Sequence, residues 1–600
     1  MRLIQRLKSD LICLRGAMRA KRVTRPIAKQ PTRVFPNLMA ELAEKYGDAP
    51  ALISDHERFS HRELASRSNR YARWARAQGL SKGDVICLIM PNRPEYMACW
   101  LGLTRAGGVV ALINTNLTGA SLAYCINVVQ PKHVIVASEL LDRLASARTE
   151  LAPGIKIWAH GETETRLPRI DLELAKIPDA PLTADERVAL TIEDRALYIY
   201  TSGTTGMPKA ANINHYRLIL ACLGFSALMD TRPSDRMYDC LPMYHTVGGV
   251  IATGAVLVNG GSVFIREKFS ASHFWDDVAR WECTLFQYIG ELCRYLINSP
   301  PNPQETTHHL RMACGNGLRP DVWPEFQRRF RIPHILEFYA ATEGNVTLFN
   351  FDETPGSVGR IPWFLAGLLP IKLVKFDIAG EQPMRNVEGF CIPCQPGEVG
   401  EAVGKILNDP NKPAARFEGY ASRADSERKI LHDVFERGDA WFRTGDLMRQ
   451  DEDGYFYFVD RIGDTFRWKG ENVATSEVSE AMTAVPGVVE ANVYGVKIPG
   501  HDGRAGMAAV VINPATFDLS VLHRLLGERL PGYARPLFVR IRGEMEVTTT
   551  FKQKKVDLVM QGFDARQTDD PIYFSDPRSQ SFVRVDSALY DKIASGQIGV

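Results

Sequence analysis

Four hydroxyls, two glycines and a lysine fall within Thr201-Ser-Gly-Thr-Thr-Gly-Met-Pro-Lys209. Gly203 and Gly206 let a backbone approach a ligand with no Cβ in the way. Successive N–H groups in such a loop form a concavity that binds anions. Thr201, Ser202, Thr204 and Thr205 add side-chain donors, and Lys209 adds a cation. That chemistry suits a polyphosphate. The run is not a Walker A loop, which has four residues between its glycines and a Ser or Thr after its lysine. Here two residues separate Gly203 from Gly206, and Ala210 follows Lys209. A loop of this composition in arbitrary order is more simply a surface turn, so its meaning depends on partners elsewhere.

Several stretches supply such partners. Leu241-Pro-Met-Tyr-His245 precedes Gly248-Gly249. A lone histidine is more often structural, but beside glycines at the end of an apolar segment His245 can line a pocket for an apolar acid. Arg311 to Gly317 reads as a strand ending in a Gly-Asn-Gly turn. Tyr339-Ala-Ala-Thr342-Glu343-Gly344 offers an aromatic face for stacking adenine and a carboxylate. Glu343 is a natural magnesium ligand, because a hard cation takes carboxylate and phosphate oxygens. Trp441-Phe-Arg-Thr-Gly-Asp446 and Asp460-Arg461-Ile-Gly-Asp464 put further charge beside glycines. Near the end, Lys552, Lys554 and Lys555 cluster. Three close lysines ordinarily mark a solvated surface, and that is the expectation for Lys554 and Lys555.

Taken in order, these stretches resemble the signatures of the adenylate-forming superfamily of acyl-CoA synthetases, luciferases and peptide-synthetase adenylation domains. The resemblance spans nearly all of residues 35–570. It implies that Tyr198, Thr201, Ser202, Gly203, Thr204, Thr205, Gly206, Lys209, Gly317, Tyr339, Thr342, Asp446 and Arg461 bind ATP. Asp446 would accept the ribose hydroxyls, since one carboxylate can accept from both. Glu343 would hold Mg2+, His245 would adjoin the carboxylate of the acid, and Lys552 would be the catalytic lysine of the C-terminal domain. Gly463 or Asp464 would be the hinge, and Lys469, Gly470 and Glu471 would meet coenzyme A. Ala340 stands where the superfamily has glycine, which slightly tightens the adenine side.

Within the superfamily, Ala111-Leu-Ile-Asn-Thr-Asn116, Trp468-Lys-Gly-Glu-Asn-Val-Ala-Thr475 and Phe551-Lys552 are similar to the fatty acid transport protein, or very-long-chain acyl-CoA synthetase, group. Thr549 replaces that group's glycine in T-G-T-F-K. The resemblance implies a ligase acting on a fatty acid, ATP and coenzyme A through an acyl-AMP. It leaves acyl chain length open. Three other readings stay open: a fatty acyl-AMP ligase serving a carrier protein, an amino-acid-activating enzyme, and a lipid uptake or binding protein without turnover.

These residues need a scaffold, and the hydrophobic pattern describes one. Strands are expected at 84–90, 109–113, 133–137 and 196–200. Helices are expected at 37–46, 61–79, 92–107 and 122–128. Strand and helix alternate, which argues for parallel sheet covered by helices. The expected fold is α/β: a large N-terminal domain of mixed, mostly parallel sheets flanked by helices (33–462), and a small mobile α+β C-terminal domain (463–600). A basic amphipathic segment (1–32) precedes both. Nine Arg and Lys face one acid, Asp10, between residues 2 and 29. Such a helix can lie in a membrane interface with its cations near anionic lipid; the plainer alternative is a loose basic tail. The apolar run 247–265 carries five glycines and Asn259, so a buried helix breaking into a strand fits it better than a membrane span.

Whole-chain totals narrow the classes further. Six hundred residues suggest several domain-sized units. A net charge of +2 gives no argument for nucleic acid. The eleven cysteines are scattered through apolar runs, as reduced buried thiols in a cytoplasmic protein are. Cys391 and Cys394 have C-x-x-C spacing but no second pair for zinc and no redox context, so a structural role is expected. Attachment to the cytoplasmic face of a membrane, where it occurs, would be peripheral.

Overall fold

The computed structural model describes residues 2–201, 207–367, 369, 371–378, 380–407, 409, 415–501, 503–547 and 553–598. The chain divides into two compact units. One comprises 1–370, 404–432 and 438–442, and the other 371–403, 433–437 and 443–600.

The first unit contains two sheets. Its strands are β1 (Pro50–Ile53), β2 (Arg58–Ser60), β3 (Val85–Ile89), β4 (Val109–Leu112), β5 (His133–Ala137), β6 (Lys156–His160), β7 (Arg195–Thr201), β8 (Lys209–Asn214), β9 (Arg236–Asp239), β10 (Ser262–Ile265), β11 (Leu285–Ile289), β12 (Met312–Asn316), β13 (Ile335–Ala340) and β14 (Thr347–Asn350). One sheet has the order β6-β5-β3-β4-β7-β8 and is parallel up to β7, which pairs antiparallel with β8. The other has the order β14-β13-β12-β11-β9-β10-β1-β2. It is parallel inside and antiparallel at both edges. Strands such as β3, β4 and β5 are buried along their whole length. That is why they read as unbroken apolar runs rather than as alternation.

The helices begin where their caps dictate. The first four in the chain are α1 (Arg2–Thr24), α2 (Phe35–Tyr46), α3 (His61–Ala77) and α4 (Pro94–Arg105). A capping box of Ser60 and Glu63 starts α3. Pro94 starts α4, where a missing N–H costs nothing. Phe35 of α2 stacks on Trp100 of α4 with ring centroids 5.5 Å apart.

Two expectations hold and gain detail. The run 247–265 is a buried helix that breaks into a strand: a π-helical turn over Thr246–Ala252, then α-helix over Thr253–Leu257, then β10. A side chain on Gly248 or Gly249 would collide with the Pro242 or Met243 carbonyl, and the Thr253 hydroxyl caps the Gly248 carbonyl at 2.9 Å. The basic N-terminal segment is not a loose tail. It forms α1, which lies along the helix His215–Leu228 and buries Cys13. Among the described residues no helix is long and apolar enough to cross a membrane.

The second unit holds a five-stranded sheet in the order Val488–Val496, Ala505–Ile512, Phe538–Arg542, Ile572–Asp576, Ser581–Arg584. Helices Thr475–Thr483 and Leu519–Arg529 contribute Val478, Met482, Leu522 and Leu526 to a core shared with Trp468, Met507 and Phe538. All eleven cysteines are free thiols, ten of them buried. Cys391 and Cys394 are among these free thiols, and the described residues gather no group of three or more His, Cys, Asp or Glu that could hold a metal.

Gly102 shows how tightly α3 and α4 pack. A Cβ there would sit 2.3 Å from the Ser68 carbonyl oxygen and 2.4 Å from the Tyr71 Cβ. Alanine in a helix interior is favoured over glycine by about 1 kcal/mol, but overpacking a tight contact costs about 1–3 kcal/mol. Gly102→Ala is therefore expected to lower the denaturation midpoint. A raised midpoint would show that α3 and α4 part at little cost.

Candidate active site

The site in the first unit begins at the β7–β8 hairpin. Thr201 and Lys209 pair at its loop end. Tyr198 is buried within β7, where the Arg195 guanidinium donates to its hydroxyl at 2.5 Å. The loop residues Ser202, Gly203, Thr204, Thr205 and Gly206 lie outside the described residues. β8 has β7 on one side, and Gly419 to Ala421 run antiparallel along its other side. The Asn212 N–H donates to the Gly419 carbonyl at 3.0 Å, and the Ala421 N–H to the Ala210 carbonyl at 2.9 Å. This short pairing delivers Tyr420 and, in the following helix Arg423–Glu427, Asp425.

Both partners matter. Lys209 is buried, and its Nζ lies 3.2 Å from Asp425 Oδ1 and 5.8 Å from the centre of the Tyr420 ring. A buried ammonium needs such a counter-charge, since desolvating it alone costs several kcal/mol. The Tyr420 hydroxyl donates to Glu343 Oε1 at 2.5 Å. Burial first, and then the Glu343 carboxylate, push the Tyr420 pKa far up, so the phenol remains a donor. One tyrosine thus stands between the acid expected to hold magnesium and the lysine at the end of the phosphate loop.

The chain around Glu343 is held from behind. Arg217 of the helix His215–Leu228 donates to the carbonyls of Thr342 at 2.9 Å and Gly344 at 2.7 Å. The Thr342 hydroxyl lies 3.0 Å from that of Thr246, which follows His245 directly. His245 precedes the π-helical turn, its ring 4.8 Å from that of Tyr244. Asn92 pins this segment by donating to the Leu241 carbonyl and accepting from the Met243 N–H, both at 2.8 Å.

Gly317, Tyr339, Thr342 and Glu343 are at or just beyond the C-terminal ends of the adjacent parallel strands β12 and β13. Open α/β sheets bind ligands at that edge. Gly317 has φ +79°. Its carbonyl leaves no room for a side chain on Gly290, whose Cβ would come within 1.8 Å. The turn is fastened by Glu337: Oε1 accepts from the Gly317 N–H at 2.5 Å and the Leu318 N–H at 3.2 Å, and Oε2 bonds the Tyr288 hydroxyl at 2.5 Å.

Each remaining site residue lies in the second unit. Asp446 and Arg461 are opposite each other on the antiparallel strands Ala440–Gln450 and Tyr455–Arg461, with 3.9 Å between Oδ1 and Nε. Asp446 is presented by a polar lattice. Its N–H donates to Thr444 Oγ1 at 3.1 Å, and that hydroxyl donates to the Ala402 carbonyl at 2.7 Å. Fully buried Glu401 accepts from Arg443 Nη2 at 2.8 Å and from the Gly445 N–H at 3.3 Å. Gly463 has φ +95°, and a Cβ added to it would meet nothing within 4 Å. Asp464 is tied down: its carboxylate lies 3.2 Å from Lys555 Nζ.

That contact corrects an expectation. Lys555 is not a solvated lysine; it also donates to Thr475 Oγ1 at 2.9 Å. Lys554 remains half exposed, 3.8 Å from Glu546. Lys552 lies outside the described residues. Lys469 and Gly470 are the two turn residues of a hairpin between Phe466–Trp468 and Glu471–Val473. Their φ values of +52° and +84° are those of a type I′ turn. Glu471 starts the returning strand, opposite Trp468.

Sequence reasoning missed Tyr420, Asp425, Arg217, Asn92, Glu337 and Glu401. No local spacing marks them, because each acts on a segment distant in the chain. The exception is Glu337, an acid inside an otherwise apolar strand, which could have been singled out as buried and bonded.

As a donor set, Glu343 suits a hard divalent cation that takes one protein carboxylate and completes its shell with phosphate and water oxygens. Its second oxygen is not engaged by the Tyr420 bond.

Glu337 generates a pH prediction. Burial raises its pKa from the ordinary 4.5 to about 8, against the pull of Tyr288, Leu318 and Gly317. The folded protein therefore keeps a proton that the unfolded chain releases between these values. The stability this group contributes is fully present below its unfolded pKa and is lost as pH rises through about 8. Glu337→Gln keeps an acceptor for the two N–H groups and a donor for Tyr288. The wild-type melting temperature should fall more steeply than the variant's between mildly acidic pH and pH about 8.5. Parallel curves would mean that Glu337 does not titrate there.

Comparison with known proteins agrees with this geometry. Residues 39–402 match the family model described as AMP-binding enzyme, and residues 477–552 match AMP-binding enzyme C-terminal domain. Long-chain fatty acid transport protein 1 of Mus musculus is 41% identical over 544 residues, covering 90% of this chain and 83% of the mouse protein. Long-chain fatty acid transport protein 6 of Mus musculus is 39% identical, covering 91% and 88%. The ATP-bound structure of MatB from Rhodopseudomonas palustris superposes with a TM-score of 0.72 at 26% identity, covering 88% of this chain and 98% of that one. The chain belongs to the AMP-binding, adenylate-forming enzyme family and, within it, to the long-chain fatty acid transport protein family.

Proposed function

We propose that this protein is an AMP-forming fatty acid–CoA ligase. The observation that carries the reading is the placing of Lys209 and Glu343 together by Tyr420 and Asp425. A phosphate-binding lysine and a metal-binding acid meet there at the mouth of a glycine-rich loop. Kinship with long-chain fatty acid transport proteins supports a fatty acid as the acid that is activated.

In the first half-reaction the fatty carboxylate oxygen attacks the α-phosphorus of ATP. A new O–P bond forms, the bond to the β-phosphate oxygen breaks, and pyrophosphate leaves. Lys209 exchanges its Asp425 partner for phosphate oxygens, and the loop Thr201–Gly206 donates hydrogen bonds to them. Tyr339, Thr342 and Gly317 take the adenine side, Asp446 and Arg461 the ribose, and His245 the end of the acyl pocket. Mg2+ on Glu343 would neutralise charge on the phosphates. Lys552 stabilises charge developing at the α-phosphate, and such preorganised cations act where charge appears in the transition state.

In the second half-reaction the thiol of coenzyme A attacks the acyl-AMP carbonyl. The C–S bond forms, AMP leaves, and the thiol proton passes to solvent. The 463–600 domain rotates between the halves, and closure of this kind gates many enzymes. We assign the pivot to Gly463 rather than Asp464. Support comes from its positive φ, from the open space around it, and from the bond that ties Asp464 to Lys555. The tip Lys469-Gly470 and Glu471 then line the pantetheine path.

The reading is tested by pyrophosphate release and thioester formation across acids of graded length, with and without coenzyme A. Acyl-CoA and AMP should form only with coenzyme A. Acyl-AMP accumulating unchanged in its presence would point instead to a ligase serving a carrier protein. Lys552→Ala should slow adenylation by about 100-fold or more while sparing thioester formation from supplied acyl-AMP; equal losses would refute the division of labour. Gly470→Val should do the reverse, because it blocks the path and strains a left-handed backbone position. Normal turnover of coenzyme A in that variant would remove the hairpin tip from the pantetheine path.

A further inference from the structure

The lysine assigned to phosphate already has an anion beside it. Asp425 Oδ1 lies 3.2 Å from Lys209 Nζ. The lysine side chain is 7% exposed and the aspartate 14%, so solvent ions screen the pair little. The same Oδ1 also lies 3.5 Å from Nη1 of Arg428. Arg428 is three residues further on, on the same side of the chain, and is 62% exposed. One carboxylate oxygen therefore stands between a buried cation and a solvated one.

The backbone that carries Asp425 is fastened to itself. The Tyr420 N–H donates to Ser426 Oγ at 2.8 Å, and that hydroxyl donates to the Ser422 carbonyl at 3.0 Å. The Asp425 N–H donates to Ser422 Oγ at 3.3 Å. Gly419 and Ala421 are bonded to β8 in turn. Asp425 can thus change partner by rotating its side chain, with the backbone at rest. An ionised carboxylate only accepts hydrogen bonds, as a phosphate does, so the two compete for one ammonium. Once phosphate oxygens hold Lys209, a carboxylate left facing them is repelled and needs another cation. Arg428 is within its reach.

We propose that Asp425 is a built-in competitor of pyrophosphate at Lys209, and that Arg428 shelters its carboxylate while phosphate is bound. The proposal rests on the reading of Lys209 as a phosphate ligand. Polyphosphate binding turns Asp425 from Lys209 to Arg428. After adenylation Asp425 returns to Lys209 and displaces the pyrophosphate. No covalent bond forms or breaks in this exchange; charges only change partners. Asp425 and Arg428 are positioning residues, since neither touches the reacting atoms. The competition weakens the hold on pyrophosphate, and a weaker hold chiefly means faster release. Adenylation is thereby protected from reversal.

Calorimetry with inorganic pyrophosphate in the presence of Mg2+ tests this, alongside pyrophosphate inhibition of acyl-AMP formation. Asp425→Asn keeps the shape and removes the charge. It should bind pyrophosphate at least about fivefold more tightly than the wild type and be inhibited by it at correspondingly lower concentration. Arg428→Gln should bind it more weakly by a similar factor. The double variant should match Asp425→Asn, because Arg428 acts only through the charge on Asp425. Asp425→Asn binding no more tightly than the wild type overturns the proposal. So does Arg428→Gln binding as tightly as the wild type, an arm that does not depend on Asp425→Asn folding. A double variant weaker than Asp425→Asn also overturns it, since Arg428 would then hold phosphate directly. Lys209→Met separates the proposal from the reading beneath it. Loss of pyrophosphate binding there upholds the reading whatever the Asp425 variant does. Unchanged binding there overturns both.

Discussion

A lysine withdrawn from water must be matched by an opposite charge, and in this protein much of the first unit is arranged to match one. Lys209 begins β8, buried along its whole length. Its ammonium can remain there only with a carboxylate beside it, because the penalty for an unpaired buried ion exceeds what packing returns. Asp425 meets that need from more than two hundred residues away. It can do so because Gly419 to Ala421 hydrogen-bond along β8. The same pairing sets Tyr420 between the hairpin and Glu343. A single stretch of backbone pairing thus satisfies a sheet edge, a buried cation and a carboxylate.

In each unit the other candidate residues follow one rule: neighbouring side chains hold them through the backbone. Arg217 fixes Thr342 and Gly344 by their carbonyls, Asn92 fixes Leu241 and Met243, and Glu337 fixes Gly317 and Leu318. Glu401 and Thr444 do the same for Gly445 and Asp446. None of these holders needs to touch a substrate. All but Asn92, which stands in the bend before α4, come from a helix or strand, so the held backbone inherits the rigidity of a core element. Where close approach is required, glycine makes it possible, as at Gly290 against Gly317 and Gly249 against Met243.

Much of the fold was legible in the chain. Parallel strands covered on both faces must be apolar throughout, so β3, β4 and β5 stood out. The helical patterns over 61–79 and 92–107 stood out as well, and the structure starts those helices at a capping box of Ser60 and Glu63 and at Pro94. Details that depend on distant contacts were not legible. The π-helical turn at Thr246–Ala252 answers to the carbonyls of Pro242 and Met243, and Lys555 answers to Asp464 and Thr475. Helix α1 was recognisable from its spacing, but its apolar and basic pattern alone could not tell the docked face from the open one.

By itself the sequence determined which strings of residues are the candidates for chemistry. Ordered strings such as Thr201–Lys209, Tyr339–Gly344 and Thr444–Asp446 are local, and a loop that must present hydroxyls, glycines and charges in sequence leaves that order in the chain. Only the tertiary structure decided who holds those groups in place. Asp425, Tyr420, Arg217 and Glu337 are ordinary residues in ordinary local contexts. Their roles arise from hydrogen bonds and ion pairs between segments far apart in sequence. Such bonds depend on distance and burial, and those exist only once the sheets have formed.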